Sequence, residues 1–228
     1  MGKNLWEKAY LKHKKEFFHK HPSNSVKFFV EFLKKKKFKF EGNALDLGCG
    51  NGRNGLYLAK LGFNVYGVDI VKEALKDFKN TAIREHLSNK IKLFQRDIGE
   101  KFPFKNNFFD IAIDINSFPN LISETKRKRY KTELFRVMKK QSYYLIYVYS
   151  KNDGYYGPML KKFPGREEGT IICPDDNIQR KLYTINELKK FFSDKFRSIL
   201  DKKIKKKGEM FGKMYTREFI LLIFQPKK

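Results

Sequence analysis

Three glycines and one aspartate have the spacing of a site for a ribose-containing ligand. Gly48, Gly50 and Gly52 alternate directly after the apolar run 43–47, and Asp69 closes the next apolar run. Glycines let the backbone take positive φ angles and let a ligand approach main-chain N–H groups without a Cβ in the way. A carboxylate at the end of the second strand can accept both hydroxyls of a ribose. The spacing therefore predicts a cofactor site in the loop that follows the first strand.

Two classes of cofactor fit this loop. Gly50, Gly52 and Gly55 match the G-x-G-x-x-G fingerprint of dinucleotide binding, and Asp69 lies 19 residues after Gly50. That fingerprint is weak when it stands alone. Asp46, two residues before the first glycine and inside the predicted strand, points to a different class. A dinucleotide-dependent oxidoreductase stays open as an alternative at this point.

Segments of strand and helix character alternate along most of the chain. Short apolar runs are followed by longer segments whose apolar residues recur at helical spacing. Such alternation predicts a parallel sheet covered by helices on both faces. The predicted strands are 43–47, 64–68, 91–94, 109–115 and 142–149, and the predicted helices are 54–61, 72–87 and 121–139.

The two ends of the chain depart from this alternation. Residues 1–41 predict an N-terminal helical cap, with a first helix over 4–18 and a second after Pro22, ahead of a main domain over 42–228. Residues 151–182 are rich in Gly, Pro, Asp and Lys and are too long for a plain connection, which predicts a substrate loop or lid.

The last segment predicts one helix and a pair of strands. Thr184 and Glu187 have the spacing of a capping box, which predicts a helix start. A strand near 196–204, a basic turn over 205–213 and a strand over 215–224 would then form an antiparallel pair at or near the sheet edge.

The glycine-rich segment resembles a known family. Residues 44–54, Ala-Leu-Asp-Leu-Gly-Cys-Gly-Asn-Gly-Arg-Asn, are similar to the first motif of the class I S-adenosylmethionine-dependent methyltransferases. Within that superfamily, the segment most resembles the small-molecule and tellurite-resistance-like branches. The resemblance covers about residues 44–150, and residues 183–188 resemble the family more weakly. It implies S-adenosylmethionine as cofactor. It also implies an α/β Rossmann-like fold: a mostly parallel seven-stranded sheet with an antiparallel C-terminal strand, helices on both faces, N-terminal helices and an insertion after the fifth strand.

The resemblance implies a role for each residue along the cofactor. The glycines would pass beneath its amino-acid part, and acidic residues after successive strands would hold its polar groups. The implied contacts are Gly48, Gly50 and Gly52 with the amino-acid part, Asp46 with the ammonium, Asp69 with the ribose, Asp97 with the adenine amino group, and Ile70 and Ile98 with the adenine ring.

The methyl acceptor would lie beyond the fourth strand. By resemblance, Asp114 and Asn116 would face the sulfonium and the substrate, and Asp114 is the candidate catalytic residue for positioning or proton acceptance. Trp6 and Tyr10 are similar to the N-terminal helix aromatics that close over such pockets. Aromatics at helical spacing also fit simple core packing, so both interpretations of this pair stay open.

Composition and charge limit the partners and the cellular compartment that we expect for this protein. The 228 residues carry a formal net charge of +25, and the basic excess lies before residue 42 and after residue 115. Such flanks could steer an anionic acceptor such as RNA, or they could form a solvated lysine-coated surface. Two cysteines exclude a disulfide framework, four scattered histidines suggest no metal site, and no apolar run reaches the ~20 residues of a membrane span. We expect a cytoplasmic protein with no membrane partner.

Missing motifs constrain the acceptor only a little. Residues 114–119, Asp-Ile-Asn-Ser-Phe-Pro, lack the Asn/Asp-Pro-Pro-aromatic motif of methylation at exocyclic base amines and the Pro-Cys pair of pyrimidine-ring methylation. A small-molecule acceptor is slightly favoured. The alternatives are an RNA or protein acceptor held by the basic flanks, and a non-catalytic cofactor-binding module or an NAD-type oxidoreductase.

Overall fold

A computed structural model describes residues 3–12 and 20–228. Part of the predicted first helix, residues 13–18, lies outside the described residues. The helices are α1 (Lys3–Lys12), α2 (Asn24–Lys35), α3 (Arg53–Leu61), α4 (Lys72–Arg84), α5 (Glu124–Val137), α6 (Met159–Lys162) and α7 (Ile185–Phe192). The strands are β1 (Asn43–Leu47), β2 (Asn64–Asp69), β3 (Ile91–Gln95), β4 (Phe109–Ile115), β5 (Met138–Tyr149), β6 (Thr170–Ile172), β7 (Gln179–Lys181), β8 (Phe196–Met210) and β9 (Lys213–Pro226).

Seven strands form one sheet in the order β3-β2-β1-β4-β5-β9-β8. The pairs from β3 to β5 are parallel, and β9 runs antiparallel to both β5 and β8. The predicted Rossmann-like sheet with one antiparallel C-terminal strand is confirmed. The strand order reverses between β1 and β4, and in open sheets of this kind ligands bind beyond the carboxyl ends of the strands at that point.

Two apolar cores cover the two faces of the sheet. On one face, α2, α3 and α4 bury residues such as Phe29, Leu58 and Phe78. On the other face, α5 and α7 bury residues such as Leu134 and Phe192. Each helix presents its apolar stripe to the sheet, and this burial is the main source of its stability. Within the described residues, no helix is both long and apolar enough to cross a bilayer.

The predicted basic turn at 205–213 is wrong. Strand β8 continues to Met210, and the reversal is a tight turn at Phe211 and Gly212, which have φ angles of +48° and +78°. Lysines do not interrupt the pairing because β8 is the edge strand, where water solvates their ammonium groups. Charge was therefore a poor guide to the position of this turn.

Other boundaries differ by a few residues. Helix α5 ends at Val137, and β5 begins at Met138 rather than at residue 142. Thr184 and Glu187 form the predicted capping box of α7. The insertion at 151–182 holds α6 and the β6–β7 pair around its own apolar cluster, which includes Tyr156 and Ile171.

Candidate functional site

The glycine-rich loop leaves β1 at the point where the strand order reverses. Gly48 has φ +68°, and an added Cβ would lie 1.8 Å from the Ser117 Oγ. Gly50 has φ +53°, but an added Cβ would meet no described atom within 4 Å. Gly48 is thus required by the fold itself. Gly50 faces open space, and this is the kind of cradle in which a ligand can run along the backbone.

Asp46 is a buried carboxylate at the base of this loop. Asp46 is only 2% exposed, and its Oδ2 has no hydrogen-bond partner among the described residues. Burial, together with the negative charges of Asp69 and Asp114, raises the pKa of Asp46 to about 7. An unpartnered buried acceptor is costly. A cationic ligand group placed against Asp46 would remove that cost, which fits the ammonium of an amino-acid-bearing cofactor.

Asp69 connects the end of β2 to the loop. Its Oδ2 accepts from the Gly50 N–H at 2.8 Å, and its Oδ1 accepts from the Val71 N–H at 2.9 Å. The residue is partly exposed, and each carboxylate oxygen retains a further acceptor site. Burial raises the pKa of Asp69 in spite of these bonds. Ile70 packs beside Val71 in a small apolar cluster against α1.

Asp97 and Ile98 follow β3. Asp97 accepts from the Gly99 N–H at 2.7 Å, and its other oxygen pairs with the Lys126 ammonium at the start of α5. Ile98 is buried in the core on the α5 face. The structure thus brings Asp97 and Ile98 to the same carboxyl edge as Asp69, but it engages Asp97 with a lysine that the sequence analysis did not anticipate.

Asp114 is fully buried at the end of β4, and both of its oxygens have partners. Oδ1 accepts from the backbone N–H groups of Ser117 and Phe118 at 2.9 and 3.0 Å, and Oδ2 accepts from the Tyr130 hydroxyl at 2.8 Å. The Tyr130 hydroxyl is also 2.9 Å from that of Tyr144. Burial raises the pKa of Asp114 to about 6. These contacts hold the turn after β4 in place.

That turn presents Asn116. Its φ is +63°, its N–H donates to the Tyr147 carbonyl at 2.8 Å, and its side-chain Oδ1 is buried without a hydrogen-bond partner among the described residues. A positive φ and an unpartnered amide oxygen at one residue make Asn116 a candidate functional position. Asp46 and Asn116 therefore supply two unpartnered acceptors on neighbouring strands.

Helix α1 lies across the neighbouring strand end. The Tyr10 hydroxyl donates to Asp77 on α4 at 2.8 Å, and the Glu7 carboxylate accepts from the first N–H groups of α4. The Trp6 ring lies 5.8 Å from the Arg180 guanidinium of the insertion. Trp6 and Tyr10 thus connect α4 to the insertion, a role that helical spacing alone did not predict.

Sequence reasoning missed Arg53, the first residue of α3. Its half-buried guanidinium has no hydrogen bond or ion pair within the part of the chain that the structure describes. Burial lowers its pKa, and the charge of Asp46 acts in the opposite direction. Its place directly after Gly52 was the available signal. No cluster of metal-ligating side chains occurs in residues 3–12 and 20–228.

The strand order and the glycine-rich loop define a Rossmann-like protein. A family model described as a methyltransferase domain matches residues 39–203. The chain belongs to this methyltransferase family, and its cofactor is S-adenosylmethionine. The family settles the choice between the two cofactor classes, and the NAD-type alternative is set aside.

The chain is similar to three proteins of different kinds. An uncharacterized methyltransferase of Schizosaccharomyces pombe is 28% identical over 144 residues, 62% of this chain and 93% of that protein. The human EEF1A lysine methyltransferase 2 is 34% identical over 124 residues, 51% of each chain. A Burkholderia thailandensis 1,6-didemethyltoxoflavin-N1-methyltransferase, solved with 1,6-didemethyltoxoflavin and S-adenosylhomocysteine, has a TM-score of 0.70 at 13% identity and covers 99% of this chain and 87% of its own. At that identity the likeness concerns the fold alone.

Proposed function

We propose that this methyltransferase acts on a small molecule enclosed between the carboxyl edge of the sheet and the segments that surround it. The observation that carries the proposal is the contact between α1 and the insertion, where Trp6 meets Arg180. The insertion also reaches α5 through an ion pair of Glu167 with Arg127. On its other side it packs against the tip of the β8–β9 hairpin, where the rings of Tyr155 and Tyr215 are 5.1 Å apart.

These contacts support residues 1–41 as a helical cap and residues 151–182 as the substrate loop of a main domain over 42–228. A site bounded on several sides excludes water and favours an acceptor that fits inside it. The same segments would have to separate widely to admit a folded macromolecule.

In the proposed cofactor site, Asp46 binds the ammonium, and the backbone of Gly48, Gly50 and Gly52 carries the amino-acid part. Asp69 accepts from the ribose hydroxyls. The cofactor supplies a methyl group already activated by the positive sulfonium, so the protein's main task is to orient the acceptor.

On the adenine side, Ile70 and Ile98 flank the ring. The remaining acceptor capacity of Asp97 serves the adenine amino group, while Lys126 orients its carboxylate.

On the acceptor side, Asn116 presents its free amide oxygen, and Asp114 acts as a positioning residue. The three donors to Asp114 fix the turn that carries Asn116. Proton removal by Asp114 would require a free oxygen lone pair directed at the acceptor, and the observed bonds favour positioning over proton transfer.

A macromolecular acceptor is the second candidate. The edge strand β8 exposes Lys202, Lys203, Lys205, Lys206 and Lys207, a basic ribbon that suits a phosphate backbone. Among the similar proteins, the human relative is named for methylation of a protein lysine. An RNA acceptor would bind with a strong dependence on salt, because phosphate contacts release counterions.

One labelling experiment separates these acceptors. The protein is incubated with methyl-labelled S-adenosylmethionine and a cell extract divided into small-molecule, RNA and protein fractions. We expect label in the small-molecule fraction. Label in RNA or protein alone would overturn the proposed acceptor class and leave the methyltransferase assignment intact.

A further inference from the structure

The β8–β9 hairpin extends beyond the end of β5. Pairing between β5 and β9 ends at Tyr149 and Phe219, whereas β8 and β9 stay paired from there to Met210 and Lys213. This extension projects from the carboxyl edge of the parallel strands, the edge that carries Asn116. It forms the side of the site farthest from β3.

The extension places two cations directly opposite each other. Lys206 and Arg217 are a cross-strand pair of β8 and β9. Like charges in such a pair are destabilising. The Lys206 ammonium lies 5.0 Å from the centre of the Phe219 ring, and the Arg217 guanidinium lies 5.3 Å from the same ring. Both cations therefore lie over the first residue of β9 that pairs with β5.

Arg217 is buried, yet it is only partly satisfied. The residue is 4% exposed, and its Nε donates to Asp153 at 2.7 Å. Its Nη2 is buried with no hydrogen-bond partner among the described residues. Asp153 also accepts from the backbone N–H groups of Tyr155, Tyr156 and Glu218. Its carboxylate is thus shared among several donors.

Arg53 begins α3 directly after the cofactor loop, and its positive charge acts on Lys206. Burial lowers the pKa of Lys206, and the positive charges of Arg217 and Arg53 lower it further. Burial raises the pKa of the Tyr147 hydroxyl, and the charges of both arginines oppose that rise. The Tyr147 carbonyl accepts from the Asn116 N–H. Lys206 and Arg217 therefore lie at the carboxyl edge that carries Asn116, and the charge of Arg53 acts on the same region.

Among the described residues, the nearby carboxylates already have partners. Asp153 is paired with Arg217, and Glu218 is engaged by Ser150 and Lys205. The negative charge of Asp46 acts on Arg53, but the Asp46 Oδ2 has no hydrogen-bond partner among the described residues and is assigned to the cofactor ammonium. An anion is the ligand that would satisfy the Arg217 Nη2 and relieve the repulsion between Lys206 and Arg217.

We propose that the methyl acceptor carries an anionic group, a carboxylate or a phosphate, and that Lys206 and Arg217 bind it at the carboxyl edge that carries Asn116, where the charge of Arg53 adds to the attraction. The inference rests on the proposed small-molecule function and names the chemical class of its substrate. Guanidinium groups match carboxylate and phosphate oxygens in geometry, and an ammonium adds a point charge.

The test uses a matched pair of probes on the protein saturated with S-adenosylhomocysteine. Benzoate and benzamide have nearly the same shape and differ in charge. By calorimetry we expect benzoate to bind at least about tenfold more tightly than benzamide, since hydrogen bonds to charged groups are the stronger ones. Equal affinity for the two probes, or no binding of benzoate, would overturn the inference.

Substitutions of Lys206, the exposed cation of the pair, test whether benzoate binds at Lys206 and Arg217. Lys206→Met keeps the apolar stem over Phe219 and removes the charge, and we expect it to weaken benzoate binding about tenfold. Lys206→Arg keeps the charge, and benzoate affinity should stay close to that of the unaltered protein. Lys79→Met is the matched control, because Lys79 is exposed on α4 and the same charge is lost there.

The cofactor's own carboxylate is the competing source of the anion. Titrations with S-adenosylhomocysteine and with its decarboxylated analogue distinguish the two. We expect Lys206→Met to bind both as the unaltered protein does. If Lys206→Met weakened binding of S-adenosylhomocysteine alone, the cluster would serve the cofactor and the inference would be wrong. Failure of the unaltered protein to bind S-adenosylhomocysteine would instead overturn the proposed function.

Discussion

The Tyr130 hydroxyl on α5 donates to the Asp114 carboxylate at the end of β4 over 2.8 Å. Both residues are fully buried, and the bond joins a helix to the turn that presents Asn116. The geometry of the acceptor side therefore depends on a side chain that contacts neither proposed ligand.

Tyr130→Phe tests this dependence. Removing the hydroxyl leaves a buried Asp114 oxygen without its donor, which costs about 1–3 kcal/mol in the free energy of unfolding. We expect kcat to fall while the Kd for S-adenosylhomocysteine stays within about twofold, since Asp46 and Asp69 are untouched. Phe135→Leu, on the same helix but outside this network, serves as the control for helix packing. A loss of cofactor affinity equal to the loss of kcat would contradict the positioning role.

Asp46→Asn tests the ammonium site. The substitution removes the negative charge while keeping the size of the side chain. We expect the affinity for S-adenosylhomocysteine to fall roughly ten- to a hundredfold, because hydrogen bonds to charged groups contribute about 1.5–3 kcal/mol. The exposed residue Asp201, which pairs with Lys189 on α7, gives the control Asp201→Asn. Unchanged calorimetric affinity in Asp46→Asn would remove Asp46 from the cofactor site.

Alanine at Gly50 and at Gly48 should behave differently. At both positions a side chain at positive φ costs about 1–2 kcal/mol. At Gly50 the added methyl enters open space, so we expect a folded protein whose cofactor affinity is reduced. At Gly48 the methyl collides with Ser117, so we expect a clear further loss of thermal stability. Equal melting temperatures for the two variants, with normal cofactor affinity in Gly50→Ala, would contradict the proposal that the cofactor runs along the backbone at Gly50.

Buried Asp46 and Asp114 predict how stability changes with pH. Burial raises their folded-state pKa values to about 7 and about 6, above the ordinary value of about 3.9 in the unfolded chain. Between pH 4 and 7 these two carboxyls then hold more protons in the folded protein than in the unfolded chain, so their contribution to the stability of the cofactor-free protein should fall as pH rises through this window. Denaturant titrations of the unaltered protein and of Asp46→Asn at several pH values isolate the contribution of Asp46. The same slope in both proteins would contradict the assignment to Asp46.

Cofactor affinity should change in the opposite direction. An ammonium binds best when Asp46 is ionised, so the affinity for S-adenosylhomocysteine should increase as pH rises through about 7. Calorimetry over this range should lose most of that increase in Asp46→Asn. A pH dependence that Asp46→Asn retained would assign the titration to another group.

Local patterns in the sequence predicted the centre of the fold well. The alternation of apolar runs predicted the parallel strands and the helices that cover both faces of the sheet. The cofactor loop could be predicted from sequence because its requirements are local. Glycines allow positive φ, and Asp69 supplies a carboxylate at the end of a strand. The capping box at Thr184 is local for the same reason.

Contacts between distant segments could not be predicted in this way. Arg217 and Asp153 are 64 residues apart, and Lys126 reaches Asp97 over 29 residues. The opposition of Lys206 and Arg217 depends on a hairpin register that the predicted basic turn had excluded. Register and side-chain partners arise from packing, and composition carries little information about them.

Calorimetric titration with S-adenosylhomocysteine, with NAD as the comparison, decides which cofactor this protein binds and whether Asp46 holds it. We expect one-site binding of S-adenosylhomocysteine that weakens in Asp46→Asn, and no binding of NAD. Binding of NAD without binding of S-adenosylhomocysteine would contradict this expectation.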